Sequence, residues 1–304
     1  MLPITCVPSR YVARLLPHIQ GSPLQLHSLF ERSLNLFVGS RLLLTIQVAS
    51  LGHSPFGVVV GETVWPALRR RLASAAEGDL SVMGRALLMG GHPLLTIPAA
   101  HGYDERFTPL PPQPNIFPAR HLHQMLLEAK GDGQAGLATL LEGWSPGGQL
   151  RSVTAVEPWL VRAQPVLKTI TAGDGPALVE AARRLIGLGP GLTPSGDDFV
   201  VGFVGALWLD GQTNMVRYLR RHLREHLWQA TNVISAQYLR HALHGRFSSP
   251  LRSLLEAMIQ GEPDSRQLMA ALRGVMAVGS SSGWDSLMGV LAGLYWREQE
   301  RRGS

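Results

Sequence analysis

The stretch GLGPGLTPSGDDFVVGFVGAL, residues 187–207, joins the most constrained backbone of the sequence to an apolar run. Its first ten residues hold four glycines and two prolines, and Asp197 and Asp198 follow at once. Glycine and proline disfavour regular structure up to that point, whereas the apolar residues beyond the aspartates predict a buried helix over 196–209. The segment therefore predicts a loop that leads two carboxyl groups into the amino end of a helix.

A second copy of this pattern lies 87 residues further on, where SGWDSLMGVLAGLYW (282–296) aligns with SGDDFVVGFVGALWL (195–209). Most other positions exchange one apolar residue for another, and both segments follow a loop of small residues. We expect two helices that are entered by similar turns and pack as neighbours. The identical pairs are Ser195 and Ser282, Gly196 and Gly283, Asp198 and Asp285, Gly202 and Gly289, and Leu207 and Leu294.

In the rest of the sequence, the apolar residues recur at the spacing of strands in the first half and at the spacing of helices in the second. This change predicts an α+β fold. Between residues 34 and 98, short apolar runs bounded by Gly, Pro or Ser predict strands, with one amphipathic helix over 63–76. We assign residues 1–150 to a β-rich domain with a few helices and residues 151–304 to an all-helical domain that carries the glycine-rich loop. The boundary rests on WSPGGQLRS (144–152), because Pro-Gly-Gly continues neither a helix nor a strand.

Helical periodicity is typical of the second half, where several apolar repeats begin with proline and stop at glycine. The first half adds two more helical patterns before the boundary. The predicted helices are 119–130, 134–141, 158–169, 176–186, 196–209, 215–229, 232–244, 250–260, 264–277 and 284–301.

Composition excludes several classes of protein. Cys6 is the only cysteine of the 304 residues, so neither an intrachain disulfide nor a cysteine-based zinc site is expected. The longest apolar runs, 199–209 and 287–296, are shorter than the roughly 20 residues that cross a bilayer. The amino terminus has no secretory pattern, so we expect a cytoplasmic protein without a membrane partner. The net charge is +6, but the arginine clusters carry no nucleic-acid-binding signature, and no nucleic-acid partner is expected.

The repeated Ser-x-x-Asp pattern has a purely structural interpretation. In a capping box, the serine would accept a backbone N–H and the aspartate three residues later would reach back to the cap. Such a cap contributes about 1 kcal/mol and needs no ligand. It does not explain the number of glycines in the loop or the second carboxyl group at Asp197. Nor does it explain Gly202 and Gly289, because a mid-helix glycine costs about 1 kcal/mol relative to alanine.

A functional interpretation makes the loop an anion site. A glycine-rich loop that enters a helix presents unpaired N–H groups and the positive end of the helix dipole, which favour phosphate or carboxylate. The neighbouring aspartates repel an anion, so a positive group has to intervene. A divalent cation such as Mg2+, held by Asp197, Asp198 and Asp285, would serve, and so would an arginine at 183, 184 or 240. The predicted ligand-binding residues of the loop are Gly189, Gly191, Thr193, Ser195 and Gly196.

Other polar residues are candidates on weaker grounds. In TNVISAQYLRHALHG (231–245), Thr231 is the predicted helix cap, whereas Asn232 and Ser235 share a face that could meet the ligand. The histidine pairs at 222/226 and 241/244 lack the Glu of H-E-x-x-H and lie among arginines, which argues against a metal site. The loop also matches neither the G-x-S-x-G elbow nor the P-loop pattern. The remaining candidates are Ser282 and Gly283 in the second copy, and His92, His101, Asp104 and Arg106 in loops.

At GLGPGLTPSGDDFVVG, joined to TNVIS and SSSGWDSLMG downstream, the sequence resembles a bacterial family connected with the AllH subunit of oxamate carbamoyltransferase. The resemblance covers most of the chain. It implies a subunit that works with companion subunits in anaerobic allantoin breakdown, a branch of purine degradation. The implied reaction exchanges a carbamoyl group between oxalurate and phosphate to give oxamate and carbamoyl phosphate. Many relatives occur outside that pathway, so the resemblance defines the family more closely than the substrate.

The residues and the resemblance together lead to three hypotheses. The first is a subunit of an oxamate carbamoyltransferase-like enzyme that binds a small anionic substrate, with Asp197, Asp198 and Asp285 as the catalytic candidates. The second is a non-catalytic nucleotide- or metabolite-binding subunit of a multi-protein complex. The third makes both Ser-x-x-Asp turns helix caps at a subunit interface. Homo-oligomerisation and metal dependence stay open here, and Mg2+ is the one cofactor considered.

Overall fold

The structure, a computed structural model, describes residues 4–39, 42–98, 102–108, 117–131, 134–145, 149–151, 157–260 and 266–303. It confirms the α+β class, with a sheet in the amino-terminal region and helices after it. Two compact units divide the chain. The first is Met1–Arg106 with Phe247–Ser249, and the second is Phe107–Arg246 with Pro250–Ser304. Residues 107–150 thus group with the helices by contact, while a boundary between independently folding domains at residue 150 stays a prediction.

A mixed sheet forms the first unit. Its strand order is β1-β9-β8-β7-β3-β4-β5-β6-β2. The pairs β1/β9 and β5/β6 are parallel, and the other neighbours are antiparallel. The strands are β1 (Ile4–Thr5), β2 (Val7–Pro8), β3 (Pro23–Leu29), β4 (Ser33–Val38), β5 (Leu42–Val48), β6 (Gly57–Val60), β7 (Leu80–Met83), β8 (Ala86–Met89) and β9 (His92–Thr96).

The core of this unit lies between the sheet and two helices, α1 (Arg10–Leu15) and α2 (Trp65–Ala73). Leu34 and Leu36 alternate along β4 and belong to the same buried cluster as Leu68 and Leu72 of α2. This is the period-2 pattern that predicts a half-buried strand. The strands predicted between residues 34 and 98 and the helix predicted over 63–76 are confirmed.

Helices dominate the second unit, and the predicted series is confirmed apart from a split in 215–229 and a 3-10 conformation at Gly136–Gly143. That 3-10 helix corresponds to the helix predicted over 134–141. The α-helices are α3 (Ala119–Ala129), α4 (Pro158–Ala172), α5 (Gly175–Leu185), α6 (Ser195–Leu209), α7 (Thr213–Leu223), α8 (Leu227–Ala230), α9 (Val233–Ala242), α10 (Ser249–Gln260), α11 (Arg266–Met276) and α12 (Ser282–Gly303).

The two copies of the repeated sequence form α6 and α12, which make the most extensive contact between any two of the described elements. A β-carbon on Gly202 would stand 1.9 Å from the Ser286 carbonyl oxygen. A β-carbon on Gly289 would stand 1.9 Å from the Phe199 carbonyl oxygen. Phe199 and Ser286 occupy equivalent positions in the two copies, so the contact is reciprocal. The prediction of neighbouring helices is confirmed, and the glycines are explained because they let two backbones meet.

Across the described residues, no helix combines the length and the apolar character that crossing a membrane requires.

Candidate functional site

The glycine loop, residues 187–194, runs from the end of α5 to the start of α6 and is shaped by its own sequence. Gly187, Gly189 and Gly191 have φ values of 82°, 114° and 95°, which residues with a side chain rarely adopt. At Gly187, a β-carbon would in addition stand 2.1 Å from the Ala230 carbonyl oxygen. The glycines therefore serve both the turns of the loop and its close packing at the end of α8.

Several loop amides have no partner within the described part of the chain. No acceptor there takes the N–H groups of Gly189, Gly191, Thr193 or Ser195. Gly191 is exposed, and Gly189 and Thr193 are half-buried. Gly196 differs, because its N–H donates to the Leu188 carbonyl oxygen at 2.9 Å and so offers nothing to an anion. A β-carbon at Gly196 would stand 2.0 Å from the Leu185 carbonyl oxygen, which makes this glycine a packing residue.

The capping-box interpretation is wrong at the start of α6. The cap position is Pro194, which has no side-chain hydrogen bond to offer, and Ser195 is the first residue of the helix. Ser282 likewise is the first residue of α12. Asp285 does not reach back to it, because its Oδ1 accepts from the Leu137 amide at 2.6 Å. The proline before Ser195 moves the serine inward by one position, and the side chain turns into the protein instead of capping.

Asp197 anchors the loop from below. Its carboxyl group is buried, with Oδ1 accepting from the Gly187 amide at 2.8 Å and Oδ2 accepting from the Thr231 hydroxyl. Burial raises the pKa of Asp197, and the hydrogen bonds from Thr231 and Gly187 oppose that shift. Both oxygens are engaged by the protein itself, so Asp197 positions the glycine loop.

The start of α9 lies against the same loop. Asn232, not Thr231, caps this helix, because its Oδ1 accepts from the amides of Ile234 and Ser235. Its Nδ2 donates to the Leu192 carbonyl oxygen at 2.7 Å, so the prediction that Asn232 faces the glycine loop is confirmed. Ser235 is 1% exposed, and its Oγ makes no hydrogen bond of standard geometry within the described chain. The Ser235 hydroxyl nevertheless acts on Asp197 and lowers the pKa of that carboxyl group.

Asp198 is the most perturbed acid of the site. Burial raises the pKa of its carboxyl group well above the usual value. The Ser282 and Thr193 hydroxyls lower that pKa, whereas the charges of Asp285 and Asp197 raise it further. Its Oδ2 is buried and accepts no hydrogen bond within the described chain.

Asp285 occupies the equivalent position in α12 and is fully buried. Burial raises the pKa of this carboxyl group to about 6, against the lowering effect of the Leu137 amide and the Ser195 and Ser281 hydroxyls. Its Oδ2 also accepts no hydrogen bond among the described residues. Gly136 lies directly on it, since a β-carbon there would stand 2.5 Å from Oδ1. Sequence reasoning missed Gly136 and Leu137, because nothing in their local pattern points to a residue 148 positions away.

The serine hydroxyl of each copy acts on the aspartate of the other copy. Ser195 of α6 acts on Asp285 of α12, and Ser282 of α12 acts on Asp198 of α6. Thr193 joins the arrangement through a hydrogen bond of 2.7 Å between its Oγ1 and the Ser282 Oγ. The amides of the second copy behave like those of the first, because Gly283 donates to the Val278 carbonyl oxygen at 2.9 Å. The acids and hydroxyls thus form one connected group beneath the glycine loop.

The positive partner expected for the aspartates is not among the described residues. No basic side chain there shifts the pKa of Asp197, Asp198 or Asp285. Of the candidate arginines, Arg183 donates to the His222 carbonyl oxygen and Arg184 lies 3.5 Å from Glu180. Arg240 lies near His241 and His244, whose pKa values its charge lowers.

The described residues also form no metal-binding site of three or more suitable side chains. Within the described ranges, no group of three or more His, Cys, Asp or Glu side chains is arranged to hold a metal ion. Asp197, Asp198 and Asp285, considered from the sequence as one way to hold Mg2+, are not arranged as such a group among the described residues. Burial raises the pKa of all three carboxyl groups.

The loop candidates of the first unit have structural partners. Asp104 pairs with Arg10 at 2.6 Å and accepts from the Arg106 amide. His92 begins β9 and is exposed, and His101 lies outside the described residues.

Residues 185–294 match the family model described as oxamate carbamoyltransferase subunit AllH. Over these residues, about a third of the 304, the chain is similar to AllH. The AllH match runs from the end of α5 into α12, so it includes the glycine loop, Asn232 and all three aspartates. No solved structure matches this chain.

Proposed function

We propose that this chain is a subunit of an oxamate carbamoyltransferase-like enzyme that moves a carbamoyl group between oxalurate and phosphate. The AllH match supports association with such an enzyme and with companion subunits. The single observation that carries the proposal is that this match spans the glycine loop together with the two helices whose acids meet beneath it. A place in allantoin breakdown and a cytoplasmic location are parts of the same proposal.

The glycine loop is the proposed anion site of this subunit. The amides of Gly189, Gly191, Thr193 and Ser195 have no acceptor in the described chain, and they lie at the amino end of α6. Carbamoyl phosphate and oxamate are both small anions, which backbone N–H groups at a helix start bind favourably. Donors fixed by the fold also stabilise charge that develops on a transferred carbonyl or phosphate, because they need no reorganisation during the reaction.

The acids have different roles in this proposal. Asp197 is a positioning residue, because both of its oxygens hold groups of the protein that shape the loop. Asp198 is half-buried and is the acid that orients the bound substrate, whereas Asp285 is fully buried and acts on the site through the Ser195 hydroxyl. The raised pKa of Asp198 favours its neutral form, which lessens the repulsion that an anion at the loop meets.

An exchange experiment tests the enzymatic part. Isotope exchange between labelled carbamoyl phosphate and oxalurate is measured with the purified chain alone and with its companion subunits. Exchange in the presence of the companions, and its loss when this chain is omitted, is the expected result. Full exchange by the companions alone would contradict a catalytic or binding role for this chain.

A pair of matched variants tests the loop. Gly191→Ala places a β-carbon on a residue with φ of 95° that has open space around it, so the loop must change shape without a clash. Gly21→Ala is the control, because Gly21 also has positive φ and open space but lies in the first unit. We expect Gly191→Ala to weaken phosphate binding at least tenfold and Gly21→Ala to leave it unchanged, as measured by calorimetry.

One observation favours a non-catalytic metabolite-binding subunit as the second candidate. Asp197, one of the three acids considered for catalysis, is fully engaged in holding Gly187 and Thr231. A site that needs this acid for structure can bind an anion and leave the chemistry to another subunit. Phosphate binding without any contribution to exchange would favour this second function.

A further inference from the structure

Asn232 holds two parts of the second unit at once, through the two ends of its side-chain amide. Its Oδ1 accepts from the Ile234 and Ser235 amides at 3.0 and 3.1 Å, which caps α9. Its Nδ2 donates to the Leu192 carbonyl oxygen at 2.7 Å. Because backbone N–H groups only donate and a carbonyl oxygen only accepts, these partners fix which end of the amide faces the loop. The cap and the loop contact are therefore separate roles of one side chain.

The hydrogen bond from Asn232 sets the direction of a donor on the neighbouring residue. The Leu192 carbonyl and the Thr193 N–H belong to one peptide group, which is planar and trans, so the two point to opposite sides. With the carbonyl turned toward Asn232, the Thr193 N–H points away from α9. A donor on the carbonyl also polarises the peptide group, which makes its N–H a stronger donor.

Thr193 supplies the accessible N–H group where the loop meets α6. This amide donates to no acceptor within the described ranges, and Thr193 is half-buried. The next two residues offer less, because Pro194 has no N–H and Ser195 is 1% exposed. The Gly196 amide already donates to the Leu188 carbonyl oxygen. An anion at this end of the loop therefore depends on the direction of the Thr193 N–H.

Packing contributes little to the position of the peptide between Leu192 and Thr193. The Leu192 side chain is 56% exposed, so it fixes the backbone only weakly. Gly191, directly before it, has φ of 95° and open space around it. On the other side, the Thr193 hydroxyl is hydrogen-bonded to the Ser282 hydroxyl at 2.7 Å. Of these contacts, the hydrogen bond from Asn232 is the one that acts on the peptide group itself.

The base of the loop is held in a different way. There, buried Asp197 accepts from the Gly187 amide and from the Thr231 hydroxyl. Thr231 and Asn232 are adjacent, so the entry to α9 holds both the base and the tip of the glycine loop. Loss of the buried contact disturbs the fold, whereas loss of the exposed contact from Asn232 releases one peptide group.

We propose that Asn232 is a positioning residue of the glycine loop: by holding the Leu192 carbonyl oxygen, it keeps the Thr193 N–H turned toward a bound oxyanion such as phosphate. The inference rests on the proposed function, since it takes the loop as the anion site. It gives Asn232 an indirect role, because both ends of its amide are engaged by backbone groups of the protein. A donor that is fixed in this way needs no reorganisation when the anion binds.

The first measurement is the affinity for inorganic phosphate, determined by calorimetry at about 0.15 M salt. Asn232→Ser keeps a good helix cap, but the serine side chain is too short to reach the Leu192 carbonyl oxygen. We expect phosphate binding to weaken about tenfold, as for the loss of one hydrogen bond to a charged group. The melting temperature should stay within about 3 °C of the wild type.

Asn214→Ser is the control for this measurement. It makes the same exchange at an exposed residue in the first turn of α7, away from the glycine loop in the sequence. Both the phosphate affinity and the melting temperature of Asn214→Ser should equal those of the wild type.

The second measurement follows the Thr193 amide itself, by NMR of the full chain with isotopically labelled threonine. Thr193→Ser identifies the resonance. We expect saturating phosphate to shift this resonance in the wild type and in Asn214→Ser, and to shift it by less than half as much in Asn232→Ser. A side chain that served the cap of α9 alone would leave the shift unchanged.

The outcomes separate this inference from the proposed function. Phosphate that binds to Asn232→Ser as tightly as to the wild type overturns the role of Asn232 and leaves the anion site standing. No phosphate binding to the wild type overturns both.

A second variant covers the case in which Asn232→Ser does not fold. Asn232→Asp then takes its place in the NMR measurement, since aspartate also caps a helix but has no donor for the Leu192 carbonyl oxygen. The wild-type spectra give a further test, because phosphate that binds without shifting the Thr193 amide would overturn the inference whichever variant folds.

Discussion

Gly202 of α6 lies directly on the backbone of Ser286 in α12, so closely that a β-carbon on the glycine would stand 1.9 Å from the serine carbonyl oxygen. No side-chain rearrangement relieves such an overlap, because the opposing atom belongs to a helix backbone. The helices have to separate before any larger residue can be accommodated. Their separation would also disturb the acids and hydroxyls that meet at the start of both helices.

We therefore predict that Gly202→Ala destabilises the chain by about 3 kcal/mol, although alanine is the better helix former. Gly274→Ala is the matched control. Gly274 also lies within a helix, but a β-carbon there meets nothing within 4 Å, so we expect a gain of about 0.5–1 kcal/mol. Urea denaturation followed by circular dichroism measures both. Equal stability of the two variants would contradict the close contact of α6 and α12.

Asp285 makes the stability depend on pH. Its pKa is raised to about 6 in the folded chain, from an ordinary value of 3.8. The folded state therefore binds more protons than the unfolded state between these values, and the free energy of unfolding falls as the pH rises through this window. The loss is on the order of 3 kcal/mol, and the raised pKa of Asp198 extends it to higher pH.

The pH effect is measured as the free energy of unfolding from urea titrations at about pH 4, 5, 6 and 7. These pH values span the range between the ordinary and the raised pKa of Asp285. Asp285→Asn should reduce the slope in this window, because asparagine does not ionise. A slope that is unchanged in Asp285→Asn would show that other groups cause the pH dependence.

Gly136 should also be sensitive to substitution, although it lies in a short 3-10 helix. It has φ of 77°, and a β-carbon would stand 2.5 Å from Asp285 Oδ1. Gly136→Ala should cost about 2 kcal/mol and move the Leu137 amide away from the carboxylate. Because that amide favours the ionised form, the pKa of Asp285 should rise further and the pH window of the stability loss should move upward.

The control for Gly136 is Gly131→Ala, since Gly131 is exposed and has open space around it. We expect Gly131→Ala to leave both the stability and the pH window within error of the wild type. A Gly136→Ala variant that loses stability without moving the window would show that the Leu137 amide has no influence on Asp285.

Thr231 offers a finer test of the loop anchor. Thr231→Val keeps the shape of the side chain but removes the hydroxyl that donates to buried Asp197. We expect a loss of about 1–3 kcal/mol and faster hydrogen exchange of the Gly187 amide, which shares that carboxyl group. Thr231→Ser keeps the donor and should stay within about 1 kcal/mol of the wild type. If the Gly187 amide exchanged its hydrogen at the same rate in all three proteins, the Thr231 hydroxyl would have no influence on the loop.

The helical half and most of the strands follow from the sequence, because apolar periodicity and the proline and glycine boundaries are local signals. Three strands lack these local signals. Strands β1 and β2 have only two residues each, and β3 begins at Pro23 and contains alternating polar residues. Their place in the sheet is set by pairing with distant strands.

The sequence predicted which residues belong to the candidate site better than it predicted the contacts between them. The repeat pointed to α6 and α12 and to Asp198 and Asp285, because equal residues at equal spacing are visible in the sequence. The Leu137 contact is a tertiary event with no local pattern, and so is the hydrogen bond from Thr231 to Asp197. Pro194 can be read from the sequence, but its effect on Ser195 depends on the residue at which α6 begins.

The reciprocal contact of α6 and α12 has the form of a homodimer interface held within one polypeptide, since each segment meets its own counterpart through the same positions. Two fused halves are free to specialise, and these two have done so. The first has Asp197 and an open stretch of glycines, whereas the second has Trp284 at the position of Asp197 and a shorter entry turn. One bound anion per chain, not two, is the stoichiometry that this divergence leads us to expect.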